Sequence, residues 1–256
     1  MAMMTPLSPP FIFDDYAFLP SQHLKAAQIA PFDLKASSVT PEIIISIPHG
    51  GFHYIEDIAS ADYEYLSAMR SLEDSGTSLL KDMITLDNAT ILSAPLSRAL
   101  IDLNRPVSAL DPQLYKDDLP PPDPKDRFTR YIQAGYGVAP RLSAQKTALY
   151  EQKLDLASTD YLINNFHKPY HDKLVSLLHK SANYHGSVIL MDIHSMPSHY
   201  GTLHGPIYAV QIEINRALYC KSDNKISCNA LAKIADIISA IADALKDEIT
   251  SNLAAE

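Results

Sequence analysis

Two stretches of this chain are almost unbroken β-branched and aliphatic runs, and each stops at a histidine. Glu42, Ile43, Ile44, Ile45, Ser46 and Ile47 lead into Pro48-His49-Gly50-Gly51, while Ser187, Val188, Ile189, Leu190, Met191, Asp192 and Ile193 lead into His194. An apolar run without alternation predicts a strand covered on both faces, which requires a sheet packed between helices. Residues 207–214 read as a third strand, and residues 90–93 and 99–103 as two shorter ones. Helical spacing marks residues 62–84, weakened at Gly76 so that one or two helices fit. It returns from residue 144 to about 181, interrupted at Pro169. The end is an amphipathic helix with Leu231, Ile234, Ile237, Ile238, Ile241 and Leu245 on one face. Strands interleaved with helices predict an α/β fold with a mixed, largely parallel central sheet flanked by helices.

The 256 residues suffice for a large core. We expect an irregular N-terminal arm over residues 1–40, anchored by Phe11, Phe13, Tyr16 and Phe18, and a single α/β domain over 41–256. Residues 106–140 hold seven of the prolines (106, 112, 120, 121, 122, 124 and 140), which predicts a long surface excursion without regular elements.

The charge balance narrows the partners. Lys+Arg 21 against Asp+Glu 30 leaves −9. That lacks the cation excess needed for general nucleic-acid binding or for docking on an anionic membrane. Cys220 and Cys228 are too few for a secreted disulfide scaffold and read as thiols. The first ten residues lack a basic-then-apolar export signal, and no run is long enough to span a bilayer. A soluble cytoplasmic protein is the expectation, with no nucleic acid, no membrane and an oligomeric state that the sequence leaves open.

Ligands of open α/β sheets bind beyond the carboxyl ends of the strands. His49 and His194 each end a strand, so two imidazoles can converge on one point. Imidazole is the commonest metal ligand, and hydrolytic zinc takes three protein ligands. A lone strand-end histidine is more often a hydrogen-bonded core residue; the pair shifts the balance toward a site. Glu56, Glu73 and Asp74 are candidates for a third, carboxylate ligand. Glu213 lies in an apolar strand, on the face opposite Val210, Ile212 and Ile214. It is either one residue of a polar face or a general base aimed into the cleft. Asn104 and Arg105 follow the 99–103 run, where an arginine can grip an anion or simply form a surface ion pair.

Five short motifs occur in order: Ser46-Ile47-Pro48-His49-Gly50-Gly51, Asp102-Leu103-Asn104-Arg105-Pro106, Pro169-Tyr170-His171, Asp192-Ile193-His194-Ser195-Met196-Pro197 and Gln211-Ile212-Glu213-Ile214-Asn215-Arg216-Ala217-Leu218-Tyr219. With them, and with the 135–141 stretch, the chain resembles the N-formylglutamate amidohydrolase (deformylase) family over about residues 41–220. That family is similar in fold to the zinc carboxypeptidases and aspartoacylase-type hydrolases. The resemblance therefore implies a three-layer sandwich and a zinc amidase that cleaves N-formyl-L-glutamate to formate and glutamate, as in histidine breakdown. It implies His49, Asp74 and His194 as metal ligands, with Glu73 beside the acidic position. It further implies Glu213 as general base, and Asn104 and Arg105 as holders of the substrate carboxylate. Arg98 is a candidate for stabilising the oxyanion and Arg141 for binding substrate. Fe(II), Mn or Co suits the same donor set.

Two departures bear on specificity. Phe52 stands where the carboxypeptidase pattern places a glutamate. The stretch from Ser195 to Gln211 is short where the family carries a longer segment, with Tyr208 in place of a family histidine and His204 nearby. An amidase for a larger N-acyl substrate, or a metal-binding member without turnover, is the alternative. An anionic N-acyl amino acid also needs a locally basic mouth, for which Arg98, Arg105, Arg127, Arg130 and Arg141 border the proline-rich excursion.

Overall fold

The computed structural model describes residues 11–13, 16–18, 22–59, 62–194, 207–214, 218–220 and 225–253. Along the chain the strands are β1 (Phe11–Phe13), β2 (Tyr16–Phe18), β3 (Gln22–Leu24), β4 (Asp33–Lys35), β5 (Ile43–Ile47), β6 (His53–Ile55), β7 (Ala89–Ser93), β8 (Val188–His194), β9 (Ile207–Glu213) and β10 (Ile226–Ser227). The helices are α1 (Tyr63–Arg70), α2 (Leu80–Met83), α3 (Thr129–Gln133), α4 (Leu156–Leu162), α5 (Lys168–His185) and α6 (Cys228–Leu253). The central sheet runs β4-β7-β5-β8-β9; β4 is antiparallel to β7 and the other neighbours are parallel.

The sequence of β5 explains the layering. Ile43, Ile45 and Ile47 pack with Leu80 of α2 and with Leu231, Ala235 and Ile238 of α6, while Ile44 packs with Leu178 of α5. Every residue of β5 is buried, as an unbroken apolar run requires. The result is the expected mixed α/β architecture, with helices on both faces of a mostly parallel sheet. Among the described residues no helix is long and apolar enough to cross a membrane.

Several local expectations differ from the structure. Residues 99–103 are buried but form no strand. Their backbone bonds go to turns and loops instead: the Leu100 N–H to the Ser97 carbonyl and the Asp102 N–H to the Val138 carbonyl. The excursion does hold one regular element, α3, within the proline-free stretch between Pro124 and Pro140. The helical region expected from residue 144 begins only at Leu156. Before it, Lys146 turns through a φ of 65°, and the Leu156 N–H is capped by Asp117. Pro169 does not interrupt the helix that follows; a π-turn at Ile163–His167 runs directly into α5. Within residues 1–40, β3 pairs in parallel with β6 and β4 joins the central sheet, so this part of the arm is not irregular. His204, Tyr208's neighbours at 195–206 and Asn215–Ala217 lie outside the described residues. Cys220 and Cys228 are not joined in a disulfide.

Candidate active site

β5 and β8 are neighbours and parallel, so their carboxyl ends deliver His49 and His194 to the same edge of the sheet. The close turn after β5 depends on its glycines. A Cβ on Gly50 would lie 2.7 Å from the Ser78 nitrogen, and one on Gly51 would overlap the Leu96 carbonyl. That close packing lets the Asp74 N–H donate to the His49 carbonyl, at 3.1 Å, which fixes Asp74 beside the histidine.

The three side chains meet. His49 Nδ1 and His194 Nδ1 are 3.1 Å apart, and Asp74 Oδ2 lies 3.6 Å from the first and 3.9 Å from the second. All three residues are buried. The far nitrogen of each ring faces a carboxylate: His49 Nε2 is 2.8 Å from Asp102 Oδ1, and His194 Nε2 is 2.7 Å from Asp192 Oδ2. A carboxylate at that distance fixes the proton on Nε2, so each neutral ring turns its Nδ1 lone pair inward, toward an Asp74 oxygen that also only accepts.

Three acceptors facing one point suit a cation between them. His49, Asp74 and His194 form a group that could hold a metal ion. Tetrahedral zinc with bonds of about 2.0–2.1 Å would set its ligand atoms roughly 3.3 Å apart, near the separations here. The charges agree. One guanidinium, Arg98, reaches Asp102 Oδ2 at 2.7 Å and Asp74 Oδ1 at 3.6 Å. Arg98 thus divides its charge between two carboxylates, and a cation among the three inward-facing atoms would add to it.

Electrostatics follow from the same contacts. Burial disfavours the charged form of Asp102, but Arg98, His49 and Arg105 outweigh it and hold its carboxyl well below the usual range. Burial likewise disfavours a charged His194, yet the Asp192 hydrogen bond and the Asp192 and Asp74 charges raise its pKa. Glu213 sits opposite His194 in the β8–β9 register and accepts from the Gln211 amide at 2.8 Å. Partial burial is the main cause raising its pKa above the ordinary value, with the His194 charge opposing.

The alternative acids lie elsewhere. Glu73 accepts a short hydrogen bond from the Tyr54 hydroxyl and another from Ser97, in a buried network behind Asp74. Glu56 lines a cleft of about 400 Å³ with Lys116, Tyr150 and Asp155. Of the arginines, Arg105 is buried, donates Nε to the Tyr136 carbonyl, and lies 4.4 Å from the centre of the Tyr131 ring. Arg130 lies over the same ring at 4.8 Å, and Arg127 lies over Phe128. Arg141 donates Nε to Asp111 at 2.8 Å, so its charge is already balanced. The Asn104 N–H donates to Asp102 Oδ1. Asp102 and Asp192, the carboxylates behind the histidines, received no role in the sequence reading. The signal for Asp192 was available: residues i and i+2 of a strand share a face, so the Asp192-Ile193-His194 triplet puts acid and imidazole side by side.

A cluster able to hold a cation, set at the carboxyl ends of parallel strands, is an arrangement suited to an α/β hydrolase that works on an activated water. The family model for N-formylglutamate amidohydrolase matches residues 42–208, and the chain belongs to that family. It is thus an amidohydrolase, an enzyme that hydrolyses a linear amide C–N bond. The fold is similar to that of N-formylglutamate amidohydrolase from Ralstonia eutropha JMP134, with a TM-score of 0.70, 21% identity, and coverage of 86% of this chain and 100% of that one. It is also similar to a gene product of Agrobacterium tumefaciens, with a TM-score of 0.57, 14% identity, and coverage of 90% and 100%. No curated protein matches the chain.

Proposed function

We propose that the protein is a metal-dependent amidohydrolase that cleaves N-formyl-L-glutamate, or a closely related N-acyl amino acid, to formate and glutamate. The observation that carries this reading is the convergence of His49 Nδ1, His194 Nδ1 and Asp74 Oδ2, each ring braced by a carboxylate on its other nitrogen. His49, Asp74 and His194 hold the ion, zinc in the first instance, with Fe(II), Mn or Co suiting the same donors. The chemistry such an ion supplies is to acidify water and to polarise a carbonyl oxygen.

The chain's own groups carry the proton and orient the substrate. Glu213, at the end of β9 beside His194, takes a proton from the attacking water as its oxygen bonds to the formyl carbon. The C–N bond then breaks, and Glu213 returns that proton to the leaving amine. Its raised pKa suits both halves of the task. Arg98, already 2.7 Å from Asp102, places positive charge where the amide oxygen gains negative charge. Asn104 and Arg105 take the substrate carboxylate, and Arg130, over the same tyrosine, adds to the positive field at the mouth. Arg141 borders that mouth as a further carboxylate-binding candidate. The substrate is thus a small anion met by local positive charge in a chain at −9. The reaction as read here belongs to histidine degradation in the cytoplasm.

The short stretch from Ser195 to Gln211 favours a second reading, a larger acyl group or amino acid in a more open cleft. Formate release from N-formyl-L-glutamate, set beside acyl release from a panel of N-acetyl and N-acyl amino acids, decides between them. The first reading expects the formyl substrate to lead the panel; a longer acyl chain turning over faster would replace it with the second. No turnover anywhere in the panel by the metal-loaded protein would remove both.

A further inference from the structure

A second histidine pair lies on the opposite layer from the α2/α6 core. His167, the last residue of the π-turn, and His171, in the first turn of α5, have ring centroids 4.5 Å apart. His167 Nε2 lies 2.9 Å from the Arg105 carbonyl oxygen, and His171 Nε2 lies 2.9 Å from the Leu103 carbonyl oxygen. A carbonyl only accepts, so both rings must carry their proton on Nε2.

The helix is built to make this contact. The Lys168 N–H bonds back to the Ile163 carbonyl, five residues earlier, and Pro169 has no N–H to restore a regular turn. Between the two histidines, the Tyr170 hydroxyl pairs with Ser46 Oγ at 3.0 Å and donates to the Leu92 carbonyl at 3.3 Å, which locks the helix to β5 and β7. The segment that the histidines grip is the one that matters for the site. It starts at Asp102, the carboxylate behind His49, and ends at Arg105. The Arg105 guanidinium bonds back onto this same backbone, at the Asn104 carbonyl.

We propose that His167 and His171 are positioning residues: by holding the carbonyls on either side of Asn104, they set the Arg105 guanidinium for the α-carboxylate of the substrate. This rests on the reading of Arg105 given above. The test uses the metal-loaded enzyme and two substrates, N-formyl-L-glutamate and its α-carboxamide. His171→Leu and His167→Leu should each raise KM for N-formyl-L-glutamate roughly fivefold to tenfold, the loss expected for one hydrogen bond. The carboxamide should change less than about twofold, and His171→Gln, which keeps a donor near the Nε2 position, should recover most of the loss. Equal loss on both substrates, or His171→Gln no better than His171→Leu, would overturn the proposal. Nitrogen NMR of the two rings reads the geometry without turnover: Nε2–H tautomers are expected, and Nδ1–H tautomers would also overturn it. If the wild-type enzyme hydrolyses neither compound, the proposed function fails by itself, and the tautomers decide the histidine contacts.

Discussion

The His49–Asp74–His194 cluster and the arginine-bearing segment meet at Asp102, yet they are held in place by different means. On the cluster side, two histidines stand at or just past the ends of buried parallel strands, each imidazole is hydrogen-bonded to a carboxylate, and Asp102 is paired with the Arg98 guanidinium. On the other side, Arg105 leaves an irregular segment and is held by backbone carbonyls, an aromatic ring and, through its own carbonyl, His167. The first arrangement fixes positions through the sheet. The second fixes them through one helix laid across the segment, so each side should fail in its own way when altered.

The largest effects should come from the cluster. His194→Ala should lose the metal, measured by elemental analysis after purification without chelators, together with formate release. Glu213→Gln should keep the metal and lower kcat by about 10²–10⁴, the span of general acid–base catalysis; a near-normal rate would remove Glu213 from that role. Asp192→Asn and Asp102→Asn should leave the ligands in place but weaken metal affinity by roughly 10–100-fold, as lost carboxylate support does.

Changes on the arginine side should be milder and should fall on KM. Arg105→Lys loses the planar fork and should raise KM about tenfold with little change in kcat. Arg141→Ala sharpens the contrast. Because Asp111 is buried and already takes the Arg141 charge, the main expected effect is on stability, roughly 1–3 kcal/mol by denaturant melts. A large rise in KM without that stability loss would instead place Arg141 at the substrate.

The smallest effect concerns pH. Burial lowers the pKa of His53, whose ring nitrogens have no hydrogen-bond partner among the described residues, and of His167 and His171. For such groups the unfolded chain takes up protons first. Their stabilising contribution is complete above the unfolded value of about 6.5 and is lost as pH falls from there through the folded values. His53→Phe should flatten the fall in metal-free stability below about pH 6.5, measured by urea melts; an unchanged slope would mean that His53 does not report on it.

How much of this could be read from the chain follows from the same contrast. The strand ends were legible because long, β-branched apolar runs favour a doubly covered strand, whose last residue then falls at the edge of the sheet. The carboxylate Asp74 was narrowed by resemblance alone, since nothing local distinguishes it from Glu73; the difference is that Glu73 turns to Tyr54 and Ser97. Residues 99–103 misled because burial and strand pairing leave the same apolar signature; the segment is buried with its backbone bonded to turns and to the Val138 carbonyl. The grip of His167 and His171 joins residues more than sixty positions apart through a π-turn, which no local periodicity announces.

The most direct test of the account is metal content and turnover measured on the same preparation. One divalent ion per chain is expected, lost on chelation and in His194→Ala, with formate release from N-formyl-L-glutamate rising and falling with that ion. Full formate release from chelated, metal-free protein would contradict it.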